Sequence, residues 1–424
     1  MSKRARPHRR LTIKPHISLP IRWKSLFTNN TIYDVLKNRP NWEECSDDVD
    51  NFSLSDIDFL WADIHFIRTK LPSNSTKCYC NHYRNHYELT RKDLLVKNLK
   101  RTLKVVQKTS PESAYRYEFF PSTFVLPGEY ALFLEAFRKE QGTWIMKPSA
   151  RAQGRGIFLI SKPSEVLEWK RSLGDSKEKN LYIIQKYIQN PFLIGGRKFD
   201  IRFYVLVLSY SPLLVYLYRE GFARFSSSRF SMSQESIGDS FVHLTNVAIQ
   251  KKSNQSNHVG VDDIGGHYSS LKWSLNSLLL YLTSLDPIKS NNCFLAIQDL
   301  VFRSLSSVCR NIIVDPLCFE LYGFDVLIDE NFKPWLIEIN ASPSLSASDS
   351  ADYELKSKVL TDMLNLLDLE GQFPINSDRV GGFEKIVDGD YVCPRVVLGC
   401  SISDREDQLE NLKNSTLSGC AASK

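Results

Sequence analysis

No apolar run in the 424 residues approaches the roughly 18 needed to cross a bilayer. No apolar h-region follows the basic opening MSKRARPHRR. The first absence argues against a membrane span and the second against a secretory leader. The nine cysteines are odd in number and scattered, which predicts reduced thiols rather than a disulfide framework. Neither a Walker A loop nor a GxGxxG turn occurs. No Ser–His or Cys–His constellation supplies an enzyme nucleophile, and there is no internal repeat. A large excess of one charge sign is also lacking. The net charge is +6, and five Lys/Arg fall within the first ten residues, so the remainder is nearly neutral. That arm, read by default as solvated and unstructured, is one candidate contact for an acidic polymer, and no nucleic-acid partner is expected. Cys78, Cys80, His82 and His86 are crowded together, but their spacing fits no common finger and no second ligand pair follows, so zinc is not predicted.

What is present is ordinary for a soluble globular chain: 42% hydrophobic and 24% charged residues. The length allows roughly two or three core-forming units. The stretch that organises the rest is YGFDVLIDENFKPWLIEINASPSL, residues 322–345. It reads as two apolar strands, Tyr322–Ile328 and Trp335–Ile339, joined by a short polar turn. If Asp329 pairs with Pro334, Asp325 falls directly opposite Glu338, and Asn340 shares the face of Glu338. Facing carboxylates start roughly 5 Å apart and repel, so the arrangement calls for a cation. Asp, Glu and Asn are hard oxygen ligands that suit Mg²⁺.

Upstream, Thr143–Met146 reads as a strand ending at Lys147 and a glycine loop with Gly154 and Gly156, where backbone can approach a phosphate. Residues 182–188 read as another strand. In GGRKFDIRFYVLVLSY (195–210), Lys198, Asp200 and Arg202 alternate with Phe199, Ile201 and Phe203 before a long apolar run. That pattern predicts a buried strand with a charged end whose charges need partners. A further strand covers 216–225 and ends near Arg224. Residues 89–101 carry leucines at helical spacing with Arg91, Lys92, Lys97, Lys100 and Arg101 among them, read by default as a solvated basic face and more sharply as a phosphate or acidic-peptide contact. Helices are expected over 293–312 and 351–368.

WIMKPSARAQGRGIF, IGGRKFDIR, FVHLTNVAIQK and the 322–345 stretch, in this order, resemble the tubulin tyrosine ligase-like family over about residues 30–368. RNHYELTRK, YREGFARFSSSRF and RVGGF extend the resemblance to one branch of it. The resemblance implies an α/β (α+β) ATP-grasp fold. It implies a catalytic region at 21–368 (N-terminal part about 21–95, central part about 96–195, C-terminal part about 196–368), while the residues themselves read as an unstructured arm at 1–20 and a polar tail at 369–424. It implies ATP and Mg²⁺ as cofactors, free glutamate and tubulin tails as substrates, and a cytoplasmic, cytoskeletal or ciliary setting, with accessory subunits left open. Lys147 and Lys198 would meet ATP phosphates, with Gln153 and Gly154 in the phosphate loop. Gln185, Lys186, Tyr187 and Ile188 would line the adenine pocket and Asp200 the ribose. Thr245 and Asn246 would support the nucleotide and the acceptor, where Gln153 would also help. Asp325, Glu338 and Asn340 would hold the metal. Arg202, with Lys198 and Glu338, would act in the chemical step. Arg224, mainly, and Lys272 would bind the incoming amino acid, so that loss of Arg224 raises KM for glutamate and spares ATP. If Arg224 only pairs with a neighbouring acid to hold the sheet, its loss lowers thermal stability and affects both substrates alike. The implied activity is tubulin polyglutamylation through an acyl phosphate. The alternatives are a glycylase of the same family and a catalytically weak microtubule-binding subunit.

Overall fold

The structure is a computed structural model that describes residues 19–45, 54–70, 78–149, 154–172, 181–245, 271–341, 343–347, 349–371 and 377–399. Residues 1–18 of the basic arm lie outside it.

Three sheets make up the frame. The first is parallel, in the order β2-β1-β3-β4: β1 (Ile21–Ser25), β2 (Trp42–Glu44), β3 (Phe59–Trp61) and β4 (Tyr79–Cys80). The second is antiparallel, in the order β5-β8-β6-β7: β5 (Thr123–Leu126), β6 (Trp144–Pro148), β7 (Phe158–Ile160) and β8 (Tyr182–Lys186). It closes on its own core, where Trp144 meets Phe133 of the helix Tyr130–Lys139 edge to face at 5.3 Å. The third sheet has nine strands: β9 (Leu193–Ile194), β10 (Arg197–Tyr210), β11 (Leu213–Phe225), β12 (Lys272–Ser274), β13 (Glu320–Ile328), β14 (Pro334–Asn340), β15 (Arg379–Val380), β16 (Phe383–Asp388) and β17 (Tyr391–Val392). Its main path is β14-β13-β10-β11-β16-β15.

Strand β10 explains why the large sheet sits at the centre. Phe203, Val205 and Val207 enter one core, with the helices Leu275–Leu285 and Pro287–Ser306. Tyr204 and Leu206 enter a second core, shared with β1, β3 and the helix Ser350–Leu367. A strand covered on both faces reads as a continuous apolar run, as this one does.

The helix expected over 293–312 runs from Pro287 to Ser306. Asp286 caps it by accepting the Lys289 N–H at 2.9 Å, and Pro287 fills the first turn. The apolar stripe continues past the helix because Val308 and Ile312 are buried from the turns that follow.

The segment expected as a polar tail instead extends the large sheet as far as Val392. Its strands are short and set among polar residues, so periodicity alone does not reveal them. Phe383 is fully buried, its ring edge-on to Tyr218 at 4.8 Å. Phe383→Ala is therefore expected to cost about 3–5 kcal/mol in chemical denaturation. A loss below about 1 kcal/mol would remove this segment from the core.

Candidate active site

The β13–β14 turn is held by Asp329. Its Oδ1 accepts the N–H groups of Asn331 and Lys333, and its Oδ2 accepts Trp335 Nε1–H. Pairing starts at Ile328 opposite Pro334, one step inside the expected Asp329–Pro334 pair. A regular ladder from there would set Asp325 opposite Ile337. A bulge between the Asp325 and Val326 pairs absorbs the extra residue and brings Asp325 opposite Glu338. The Asn340 amide donates to Glu338 Oε1 at 3.2 Å.

Two neighbouring rows of charge cross the large sheet here. One runs Arg202, Asp325, Glu338 and the other Asp200, Arg224, Lys272. Arg202 grips Asp325 through Nε and Nη2, the latter at 2.7 Å. Arg224 grips Asp200 in the same two-pronged way, with Nε at 2.8 Å, and also reaches Asp325 Oδ1 at 3.0 Å. All four side chains are buried. Gly323 makes the packing possible, since a Cβ there would stand 3.4 Å from Arg202 Cδ and Nη1 and 3.0 Å from Pro343 Cβ. Lys272 lies 3.6 Å from the carboxylates of Asp349 and Asp352 and over the Phe222 ring.

Glu338 is balanced from outside the sheet. Lys92 Nζ, in the first turn of the helix Lys92–Thr109, is 2.9 Å from Glu338 Oε2. Burial pushes the Glu338 carboxyl up, but the Lys92 ammonium outweighs it and holds the group well below the usual carboxylate range.

Lys147 and Lys198 bring two further cations. Lys147 Nζ donates to Gln185 Oε1 at 2.7 Å, and Gln185 Nε2 donates to Thr123 Oγ1 at 2.9 Å. Burial, reinforced by Lys92, lowers the Lys147 pKa to about 8. Lys198 donates to Tyr187 Oη at 3.1 Å and to the His243 carbonyl at 2.9 Å. Burial and the nearby Lys147 lower its pKa to about 7. His243 Nε2 is 2.9 Å from the Ser236 carbonyl, which assigns the ring proton to Nε2. Nδ1 then accepts from Tyr187 Oη at 2.9 Å. Burial, with Lys198 beside it, lowers the His243 pKa and keeps the ring neutral.

These groups share one cleft enclosing about 680 Å³, open solvent at its mouth included. Ile145, Ile157, Ile188, Leu244, Leu327 and Ile337 make apolar walls, and Lys147, Lys198, Asp200, Asp325 and Glu338 the charged lining. Gln185, Lys186, Tyr187 and Thr245 also line it. The Lys186 ammonium, however, donates to the carbonyls of Glu140 and Gln141. Arg202 and Arg224 reach the cleft through Asp325, and Asn340 through Glu338. Lys272 stands beside Arg224 on the adjoining strand. Gly154 lies in the turn before β7 with φ +72°, a conformation that favours glycine. Gln153 and Asn246 fall outside the described residues.

The Cys–His crowding resolves separately. His82, His86 and Glu320 place buried ligand atoms within 4.8 Å of one another. Glu320 is already engaged: Oε1 is 2.5 Å from His82 Nδ1, and Oε2 accepts the Tyr83 N–H at 2.8 Å. The group ties the segment after β4 to β13. Cys78 and Cys80 lie outside it, and burial pushes both thiols up, Cys78 to about 12.

A model of the tubulin-tyrosine ligase family matches residues 72–378. The chain belongs to the tubulin-tyrosine ligase family. It is 40% identical over 444 aligned residues to "Probable tubulin polyglutamylase TTLL9" of Bos taurus, covering 92% of each chain. It is 44% identical over 363 residues to "Probable tubulin polyglutamylase ttll-9" of Caenorhabditis elegans, covering 84% of this chain and 83% of the other. It is 42% identical over 373 residues to "Probable alpha-tubulin polyglutamylase Ttll1" of Tetrahymena thermophila, covering 82% and 86%. The mixed architecture, with a cleft between two sheets, is of the ATP-grasp type expected for the tubulin-tyrosine ligase family.

Two residues at this family site escaped sequence reasoning. Lys92 looks like one more cation on a solvated face, and only the fold brings it to Glu338. His243 looks like one of several polar groups, and only its bonds to Tyr187 and Ser236 show its place. Of the two readings of Arg224, the pairing with neighbouring acids is present, because Asp200 and Asp325 share its guanidinium. Removing one partner from such a buried network costs roughly 3–5 kcal/mol. Arg224→Ala is thus expected to lower the unfolding free energy by about that amount. An unchanged denaturation midpoint would contradict the network.

Proposed function

We propose that this chain is an ATP-dependent tubulin polyglutamylase, joining free glutamate to glutamate side chains of tubulin tails. The observation that carries the reading is the convergence of Lys147 and Lys198 with Asp325 and Glu338 in one cleft of a chain whose relatives bear that name. The residues fit Mg²⁺–ATP. The apolar walls suit a planar base, the two lysines suit phosphates, and Asp325, Glu338 and Asn340 supply hard oxygens for the metal. When bound, Mg²⁺ would supply charge neutralisation at the phosphates.

The chain's own groups account for the remaining work. Lys147 and Lys198 bind and orient the triphosphate, with Gln185, Tyr187 and His243 fixing where the ammonium groups point. Asp200 takes the ribose, and Thr245 supports the nucleotide. The acceptor carboxylate attacks the terminal phosphorus, ADP leaves, and an acyl phosphate forms on the acceptor. The amine of free glutamate then attacks the acyl carbon, loses a proton and expels phosphate. Arg202 commits Nε and Nη2 to Asp325, and Nη1 is the arm that stabilises the oxyanion of this second step. Arg224 and Lys272 hold the carboxylates of free glutamate. Because Arg224 also holds Asp200 and Asp325, its loss weakens both substrates rather than glutamate alone. The setting is the microtubule cytoskeleton, cilia and flagella included.

The direct test incubates purified protein with tubulin, ATP, Mg²⁺ and labelled glutamate or glycine and reads the tails by mass spectrometry. Glutamate addition is expected from the wild type, while folded Glu338→Gln, lacking one anionic ligand, is expected to be inactive. Glycine addition, or full activity of Glu338→Gln, would contradict the reading.

Proton linkage gives a second test. A bound triphosphate favours charged lysines, so it raises the pKa values that burial has lowered to about 8 at Lys147 and about 7 at Lys198. Binding then takes up protons, and affinity falls as pH rises through 7 and 8. Calorimetry at pH 8 should show a binding enthalpy that changes with the ionisation enthalpy of the buffer. The same enthalpy in every buffer would place the phosphates elsewhere.

A further inference from the structure

The helix Lys92–Thr109 carries a feature that the cleft does not use. Lys97, Arg101, Lys104 and Lys108 follow one another at steps of four, three and four residues and are all exposed. At about 100° per residue they form one stripe, turned about 120–180° around the helix from Lys92. The opposite side, through Leu95, Val96 and Leu99, is buried and fixes the helix in place.

On other helical surfaces several lysines have an acid one turn away. Lys139 pairs with Glu135 and Lys358 with Glu354, each at 2.7 Å, and Lys289 meets Asp286 at 3.5 Å. On the same helix, Lys100 is held by Glu129 at 3.1 Å and Arg91 by Asp93 at 2.9 Å. None of the four stripe cations forms an ion pair among the described residues. Like charges one turn apart repel, so the helix carries this stripe against its own stability. It spans about 16 Å from Lys97 to Lys108, the length of roughly five residues of extended chain.

We propose that this stripe is an exosite for a glutamate-rich tail of the tubulin polymer other than the tail whose side chain occupies the cleft. The stripe faces away from Lys92 and Glu338, so one extended tail segment does not fill both. A repeating polymer presents further acidic tails to a second surface, and four cations in a row, unpaired among the described residues, complement them. The proposal rests on the polyglutamylase reading for the identity of the acidic partner.

The test neutralises the stripe with Lys97→Gln, Arg101→Gln, Lys104→Gln and Lys108→Gln together in the full chain. Microtubule co-sedimentation at low salt is expected to weaken roughly tenfold or more, since exposed charges act over about a Debye length. Wild type on microtubules stripped of their acidic tails by limited proteolysis is expected to show the same loss. Turnover of an isolated tail peptide should stay within about twofold, and the melting temperature should hold or rise. Neutralising the paired Lys139, Lys289 and Lys358 serves as the control and is expected to change nothing. Unaltered co-sedimentation of the stripe variant, an equal loss in the paired-lysine control, or an equal loss of peptide turnover would overturn the exosite. A wild type that binds microtubules through this stripe yet transfers no glutamate would overturn the activity and leave the exosite standing.

Discussion

Asp325 sits buried between two guanidinium groups, and most of the site depends on that arrangement. A carboxylate away from water needs cations, and Arg202 and Arg224 supply them from two neighbouring strands. Arg224 then fixes Asp200, so three strands share one charge network. The arrangement requires the register of β13 on β10, the bulge that returns Asp325 to Glu338, and a glycine at 323 where Arg202 lies across the sheet. The apolar length of β10 anchors these charges, because its two faces fill two separate cores.

The cleft above this network is balanced so that a charged ligand completes it. Lys147 and Lys198 are buried near each other, and that burial lowers their pKa values to about 8 and about 7. Glu338 keeps its charge because Lys92 reaches it from a helix outside the sheet. In the proposed function a polyphosphate with its metal would bring anions to the lysines and a further cation to the carboxylates. Preorganised dipoles and charges of this kind are the main source of rate in phosphoryl transfer.

Much of this was legible in the sequence, and the reasons differ by residue. Alternating Lys198, Asp200 and Arg202 announced a charged strand end because strand side chains alternate faces. Asp325 and Glu338 were placed opposite each other on a register one step out. The missing step was made good by a bulge that no local signal marks. The strands from Arg379 to Val392 were too short and too polar in context to read. Lys92 could not be assigned, because a lysine at the start of an amphipathic helix looks the same whether it meets water or a distant glutamate. The leucine spacing over 89–101 announced the helix Lys92–Thr109, but not which of its cations are paired. Arg91 and Lys100 are paired, and the exposed stripe runs instead through Lys97, Arg101, Lys104 and Lys108.

The central claim is that this charged cleft activates a carboxylate by transferring phosphate to it. The most direct measurement uses a tubulin tail peptide whose glutamate side-chain carboxylates carry heavy oxygen, incubated with the protein, ATP, Mg²⁺ and glutamate. The account predicts that each phosphate released carries one oxygen from the peptide, because the acyl–oxygen bond breaks when the amine attacks. Peptide-bound glutamate forming while the released phosphate stays unlabelled would contradict it.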